Sequence, residues 1–444
     1  MKLRLPHPLV FLLYAIAVAA LLTWWLPAGQ FDRREDPNTG RQVVVDGTYH
    51  RVEAAPVGVL ATLVAVPRGV VEAADVIAVV LFVGGAWVVV DRLGTLSRLV
   101  GALAARVRRR RLSAIVLVST CFASMGALEN MQEEIIPLVP VMLLLSRRLG
   151  VDAVVAVAMS AGAAMVGSAF GPTNPFQSGI AMKLAGLPVM ADAAPRVATF
   201  VVATALWIAW TCLYAARTGL AEAEVAGGDA PGSGRDVVIL TTMLMPMAMY
   251  VYGAAALGWG FNELSAGFLA GGIAAGLIGG LGAAGTAEAF LKGMEGLLPA
   301  AIMVGVARGI SLVLADGHVI DSVLFLLSEP LKNLSATSAA LLMIPVHILV
   351  HVPVSSVSGH AVLTMPVMVP LSDVLGIPRQ ATVMAYQVGA GLTELLTPTN
   401  GALMAILVAA GVSYQRWMKF AAVGAALSAI AGVVGLLILM SAQK

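Results

Sequence analysis

Along the chain, long apolar runs alternate with short polar breaks. Candidate full spans cover 8–26, 74–90, 196–215, 237–257, 264–283, 299–315 and 420–440. Each is about 20 residues long, which is what an α-helix needs to cross the hydrocarbon core of a bilayer. The runs are continuous rather than alternating, so they are helices and not strands of a β-barrel. Four further apolar stretches carry polar residues at their centres. The stretch 112–150 has Glu129, Glu133 and Glu134 midway, and 337–375 is cut by the serine- and glycine-rich segment 355–360. The stretch 151–187 is cut by Gly171-Pro-Thr-Asn-Pro175, and 378–411 by Thr397-Pro-Thr-Asn-Gly401. A break at membrane depth frees backbone groups that must face protein or a cavity. The pattern therefore predicts re-entrant helical hairpins over 112–150 and 337–375, and broken transmembrane helices over 151–187 and 378–411.

Composition strengthens the membrane assignment. Of 444 residues, 59% are hydrophobic and only 12% are charged, about half the charge of a soluble domain. A net charge of +2 gives no reason to expect nucleic acid. Cys121 and Cys212 lie in apolar stretches and suggest neither a disulfide framework nor a transition-metal site. No H-E-x-x-H, G-x-S-x-G or Walker A motif is present, so nothing points to an enzyme or an ATP-driven pump. The run 8–26 is expected to be a retained first span, with Trp24 and Trp25 at the interface. The basic cluster Arg106, Arg108–Arg111, and Arg147 with Arg148, place their loops in the cytoplasm. The N-terminus is then cytoplasmic, the loop 27–55 is external, and the linker 218–235 is internal.

The polar breaks repeat. With a shift of 226 residues, Pro140-Val-Met142 falls on Pro366-Val-Met368, Ser146 on Ser372, and Leu149-Gly150 on Leu375-Gly376. Pro172-Thr-Asn174 falls on Pro398-Thr-Asn400. The chain is therefore expected to hold two repeats, 1–217 and 259–444, joined by the linker and a connecting helix over 236–258. By the loop charges the hairpins enter from opposite sides, which makes the repeat inverted. Inverted repeats with paired broken helices mark secondary transporters, with the site near the bilayer midplane.

The candidate chemistry collects at these breaks. Backbone carbonyls with Thr and Asn side-chain oxygens suit sodium, and a half-helix N-terminus suits a carboxylate. Candidate substrate-binding residues are Asn130, Gln132, Glu133, Glu134, Thr173, Asn174, Arg308, Ser355, Ser356, Ser358, Thr399 and Asn400. Candidates for a coupling ion, sodium or a proton, are Glu129, Gly171, Thr173, Asn174, Gln387, Glu394, Thr397, Thr399 and Asn400. The hydroxyls and amides of the second hairpin tip suit a carboxylate. The acids of the first tip suit a proton, sodium or a substrate ammonium or guanidinium. Arg308 lies deep in a predicted span, where it could hold a substrate carboxylate or pair with Glu394 or Glu134. His347 and His351, four residues apart, fit a polar or proton-responsive role better than a metal site.

These residues also carry a resemblance. Gly126-Ala-Leu-Glu-Asn-Met-Gln-Glu-Glu-Ile-Ile-Pro137, Gly305-Val-Ala-Arg-Gly-Ile310 and Ser356-Val-Ser-Gly-His-Ala-Val-Leu-Thr-Met-Pro366 resemble the YfcC-like branch of the C4-dicarboxylate uptake C (DcuC) family. Ile377-Pro-Arg-Gln380 and Leu396-Thr-Pro-Thr-Asn-Gly401 extend the likeness. The hairpin and broken-helix pairs resemble the wider ion transporter superfamily. The resemblance implies an all-α, elevator-type, homodimeric carrier of the cytoplasmic membrane, without cofactors. It would move a small carboxylate-bearing metabolite, a dicarboxylate or an amino acid. It also implies binding at Asn130, Glu133, Glu134, 172–174, 355–358 and 397–400. Symporters of the superfamily carry a Ser-Asn-Thr motif at the tips. Here the first tip is acidic, which fits a basic amino acid, as moved by exchangers near this branch, better than a dianion.

Overall fold

The computed structural model describes residues 8–36, 41–45, 47–95, 98, 111–188, 191–218, 233–257 and 259–441. Most of the predicted linker 218–235 and of the basic cluster 106–111 lies outside the described residues. Eight of the described helices are long and apolar enough to cross a membrane.

The first described helix is α1 (Pro8–Trp25). A loop with two small antiparallel sheets follows. In it β1 (Gly29–Gln30) pairs with β4 (His50–Arg51), and β2 (Arg33–Asp36) with β3 (Arg41–Val44). The loop docks onto α12 (Ile320–Ser328) through buried Asp321, which accepts from the Phe31 amide and the Arg33 guanidinium, both at 2.9 Å. Tyr49 stacks on Phe325 with ring centroids 4.1 Å apart.

Two helices, α2 (Val59–Glu72) and α3 (Ala74–Arg92), meet at Ala73. Hydropathy alone showed only the second, because Pro67 and Arg68 interrupt the first. Both pack on α11 (Gly282–Asp316). This 35-residue helix replaces the separate ending at 283 and start at 299 that the sequence suggested. Residues 282–298 continue it as a helix with one wet face, where Glu288, Lys292 and Glu295 are exposed. The connecting helix is α9 (Gly234–Leu257), followed by α10 (Phe261–Gly279).

In each of the two stretches expected to form a hairpin, two helices are joined by a short turn. The first is α4 (Arg111–Glu129), a tight 3-10 turn (Glu133–Leu138) and α5 (Val139–Leu149). The second is α13 (Ala336–His351) and α14 (Val357–Leu375). The returning arms end alike. Gly150 and Gly376 cap them at φ 68° and 67°, a left-handed conformation that glycine adopts without a Cβ penalty. The following amides bond back equivalently, Val151 to Ser146 at 2.9 Å and Ile377 to Ser372 at 2.8 Å.

The two stretches with a Pro-Thr-Asn segment are interrupted helices. In the first, α6 (Ala153–Phe170) stops at the Pro172-Thr-Asn turn and resumes toward α7 (Ile180–Leu184). In the second, α15 (Arg379–Tyr386) runs into a π turn (Gln387–Gly391), breaks at 397–400, and resumes as α16 (Gly401–Ala409). A π turn also interrupts α6, at Ala158–Gly162. Almost all of α6 is buried. By contrast, α8 (Ala193–Arg217) and α17 (Tyr414–Ser441) each present an apolar outer face. On α17, Ile430, Val434 and Ile438 are exposed at four-residue spacing, as a lipid-facing stripe requires. Inward, Trp207 of α8 donates to the Ala158 carbonyl at 2.9 Å, and Trp417 of α17 to that of Leu395 at 2.8 Å. Each tryptophan thus satisfies a backbone group that an irregular turn releases.

Candidate functional site

Both hairpin tips and the second helix break converge on one cavity of about 430 Å³, within the range of small-molecule sites. The third wall is α2, α3 and α11.

The first tip is shaped by Asn130, which sits at φ 57°, a conformation that Asn tolerates better than most side chains. This turns the chain sharply after α4 and sends Gln132, Glu133 and Glu134 toward the cavity. The Gln132 amide bonds the Glu134 carboxylate at 3.2 Å. The tip rests on the first break through Asn174, whose Nδ2 reaches the Gly126 carbonyl at 3.1 Å and Asn130 Oδ1 at 3.2 Å. Its own Oδ1 caps the resumed helix, accepting from the amides of Phe176 and Gln177 at 2.9 Å. Asn400 does the same in the second break. Its Oδ1 accepts from the Leu403 amide at 3.1 Å. Its Nδ2 donates to the Glu394 carboxylate and carbonyl and, at 3.3 Å, to Gln132 Oε1. One asparagine per break therefore caps a half-helix and also grips the first hairpin.

The second tip brings Ser355, Ser356 and Ser358 to the same cavity. Ser356 is the N-cap of α14 and accepts from the Gly359 amide. The start of α14, where helical N–H groups lack intrahelical partners, thus meets the cavity.

Arg308 also lines it, but its partner is not one the sequence suggested. Its Nε lies 3.2 Å from Glu72 Oε2, not against Glu394 or Glu134. The reason is helix packing. A Cβ on Gly305 would meet Val70, and one on Gly309 would come within 3.3 Å of Ala65. These glycines bring α11 against α2, as small residues do in membranes, and Arg308 between them faces Glu72. Glu72 escaped the sequence reading because α2 did. Its signal was an acid closing an apolar run, with Asp75 one turn on.

Of the candidate residues, Asn130, Gln132, Glu133, Glu134, Arg308, Ser355, Ser356, Ser358, Glu394, Thr399 and Asn400 line the cavity. Asn174 supports it from behind. Thr173 donates to the Ala127 carbonyl at 3.3 Å, and Gly171 packs on Ala127. Thr397 bonds Thr399 at 2.7 Å. Gln387 reaches across to the Ala169 carbonyl at 2.9 Å and so ties the two broken helices together. The side chain of Glu129 lies outside the described residues. Tyr250, Trp259 and Phe261 of the α9–α10 connection add an aromatic rim that no motif announced.

Several carbonyls around the two breaks accept hydrogen bonds from the protein itself. Ser178 and Arg196 donate to those of the first break, and Trp417, Tyr414 and Asn400 to those of the second. The cavity's charge is lopsided. Glu72, Glu133, Glu134 and Glu394 face it with Arg308 as the one cation among the described lining residues.

Residues 5–441 match the family model of DcuC, described as C4-dicarboxylate anaerobic carrier. An Escherichia coli (strain K12) protein named "Putative basic amino acid antiporter YfcC" is 28% identical, the alignment covering 99% of this chain and 96% of that one. An uncharacterized protein of Haemophilus influenzae is 30% identical over 86% of this chain and 78% of its own. Among solved structures, the YdaH transporter of Alcanivorax borkumensis has 16% identity and a TM-score of 0.44, with 98% of each chain covered. The chain is an integral membrane transporter and belongs to the DcuC family.

Proposed function

We propose that this transporter is a secondary active carrier of a cationic amino acid such as arginine or ornithine. The observation that carries the reading is the cavity's lining, in which Glu133, Glu134 and Glu394 have no cation among the described lining residues besides Arg308, itself paired with Glu72. A dianion entering there would meet net repulsion. An amino acid with a cationic side chain has a natural pose. Its guanidinium or ammonium faces Glu133, Glu134 and Glu394, as charge-assisted hydrogen bonding favours. Its carboxylate faces the Ser356 and Ser358 hydroxyls, the start of α14 and Arg308. The name of the Escherichia coli relative agrees with this choice.

In this reading the two hairpins and two broken helices form the moving unit of an elevator, with α2, α3 and α9–α11 as the static wall. The halves are inverted repeats, a division supported by the matched glycine caps and asparagine caps 226 residues apart. The carrier is a homodimer in the cytoplasmic membrane, with its N-terminus inside.

Proteoliposomes loaded with unlabelled arginine test the reading. Labelled arginine and ornithine should enter by counterflow, and labelled succinate should not. Succinate uptake without arginine uptake would overturn the cationic reading in favour of a dicarboxylate carrier.

A further inference from the structure

Behind the cavity, the second hairpin and the second broken helix enclose a set of titratable side chains. His351 Nε2 lies 2.5 Å from Glu394 Oε1. One turn earlier on α13, His347 Nδ1 lies 2.8 Å from His360 Nε2 on α14. The His351 and His360 rings are 5.3 Å apart, and Tyr386 packs against His347 and His360. The three histidines are 0% exposed and Glu394 is 4% exposed. His347 Nε2, His351 Nδ1 and His360 Nδ1 have no hydrogen-bond partner among the described residues. Burying polar nitrogens without partners is costly, and apolar side chains would fill the space at least as stably. The described residues form no cluster able to hold a metal ion. What a carboxylate and an imidazole in line can do is share and release a proton.

Glu394 belongs to both places. One oxygen meets His351, while the other accepts from Asn400 at the cavity edge. We propose that the His351–Glu394 pair is a proton-binding site that gives up its proton when the cationic group of a substrate enters the cavity. This rests on the cationic-substrate reading above. With the proton bound the pair is neutral. Without it, neutral His351 still donates Nε2–H to a Glu394 carboxylate of charge −1. A cation beside that carboxylate favours the charged form, so the proton leaves to solvent through the cavity that Glu394 lines. One positive charge enters and one departs. The transport cycle is then cation-for-proton exchange.

Other groups around the pair set its balance. His347 shares its helix, His360 faces it from α14, and Tyr386 from α15. Glu133 and Glu134 of the first hairpin, Glu72 of α2 and Arg308 of α11 line the cavity that Glu394 also lines. Asp75 on α3 adds its charge near Glu133. Tyr414 of α17 is engaged with the Leu396 carbonyl.

The test is calorimetric binding of arginine to the purified full-length protein, in buffers of different ionisation enthalpy and over a range of pH. The expected result is release of about one proton per arginine bound, with affinity rising about tenfold per pH unit while the pair is protonated. In His351→Asn the release should vanish and the affinity should become flat with pH while arginine still binds. Glu394→Gln should also abolish release, and serves if the first variant does not fold. Arginine binding to the wild-type protein without proton release overturns the proposal and leaves the carrier reading standing. Unchanged release in both variants also overturns it. If neither arginine nor ornithine binds, the cationic-substrate reading fails first and the exchange fails with it.

Discussion

The two hairpin–break pairs share a backbone plan and differ in chemistry. In each, an asparagine after Pro-Thr caps a half-helix and donates to a hairpin. Each returning arm ends on a left-handed glycine. At the tips the likeness stops. The first carries Gln132, Glu133 and Glu134 on a 3-10 turn, and the second carries serines at the start of a long helix. The cavity thereby gains a wall suited to a cation and another suited to a carboxylate. The two regions share a backbone frame, and the residues at their tips give that frame two different chemistries.

Exchanging charge at the first tip should break this division most strongly. Glu133→Gln removes one charge-assisted contact, about 1.5–3 kcal/mol. Arginine affinity should fall about 10- to 100-fold in direct binding, with no loss for succinate. An equal fall for both solutes would mean that the tip is structural.

The two asparagines come next. Both Asn174→Ala and Asn400→Ala lose a helix cap worth about 1 kcal/mol, and both should lower the thermal midpoint. Asn174→Ala also strips a donor from the Gly126 carbonyl, and Asn400→Ala strips one from the buried Glu394 carboxylate, the costlier loss because that acceptor can carry a charge, about 1–3 kcal/mol or more. Asn400→Ala should therefore unfold at a lower temperature than Asn174→Ala and lose more uptake. Equal midpoints would place the Glu394 contact among the dispensable ones.

Arg308→Ala should have the smallest effect. Its pair with Glu72 is half exposed, and such pairs contribute about 1 kcal/mol or less. Because the proposed pose sets the substrate carboxylate against this guanidinium, affinity for arginine should drop about tenfold. Agmatine, which has no carboxylate, should bind as before. Unchanged arginine binding would leave Arg308 only the task of neutralising Glu72.

Much of this was legible in the primary structure because membrane physics makes breaks conspicuous. Gly171–Pro175 and Thr397–Gly401 interrupt apolar runs, and no bilayer tolerates that without a protein reason. Most of the cavity's polar residues were therefore identifiable in advance. Helix α2 was hidden by Pro67 and Arg68, and with it Glu72, the actual partner of Arg308. The sequence also suggested that the break oxygens were available to sodium. Folding gives several carbonyls around the breaks donors of their own, from Trp417, Tyr414, Asn400, Ser178 and Arg196.

The sequence by itself determined most of the long helices and where they break, because each depends on local hydropathy, proline, and caps within a few residues. Only the tertiary structure decided which polar groups meet. His351 and Glu394 are 43 residues apart, Glu72 and Arg308 are 236 apart, and Gln132 and Asn400 are 268 apart. Such pairings follow from how closely glycine-rich helices approach and how the hairpins dock. That information is spread over the whole packed chain rather than written in any one motif.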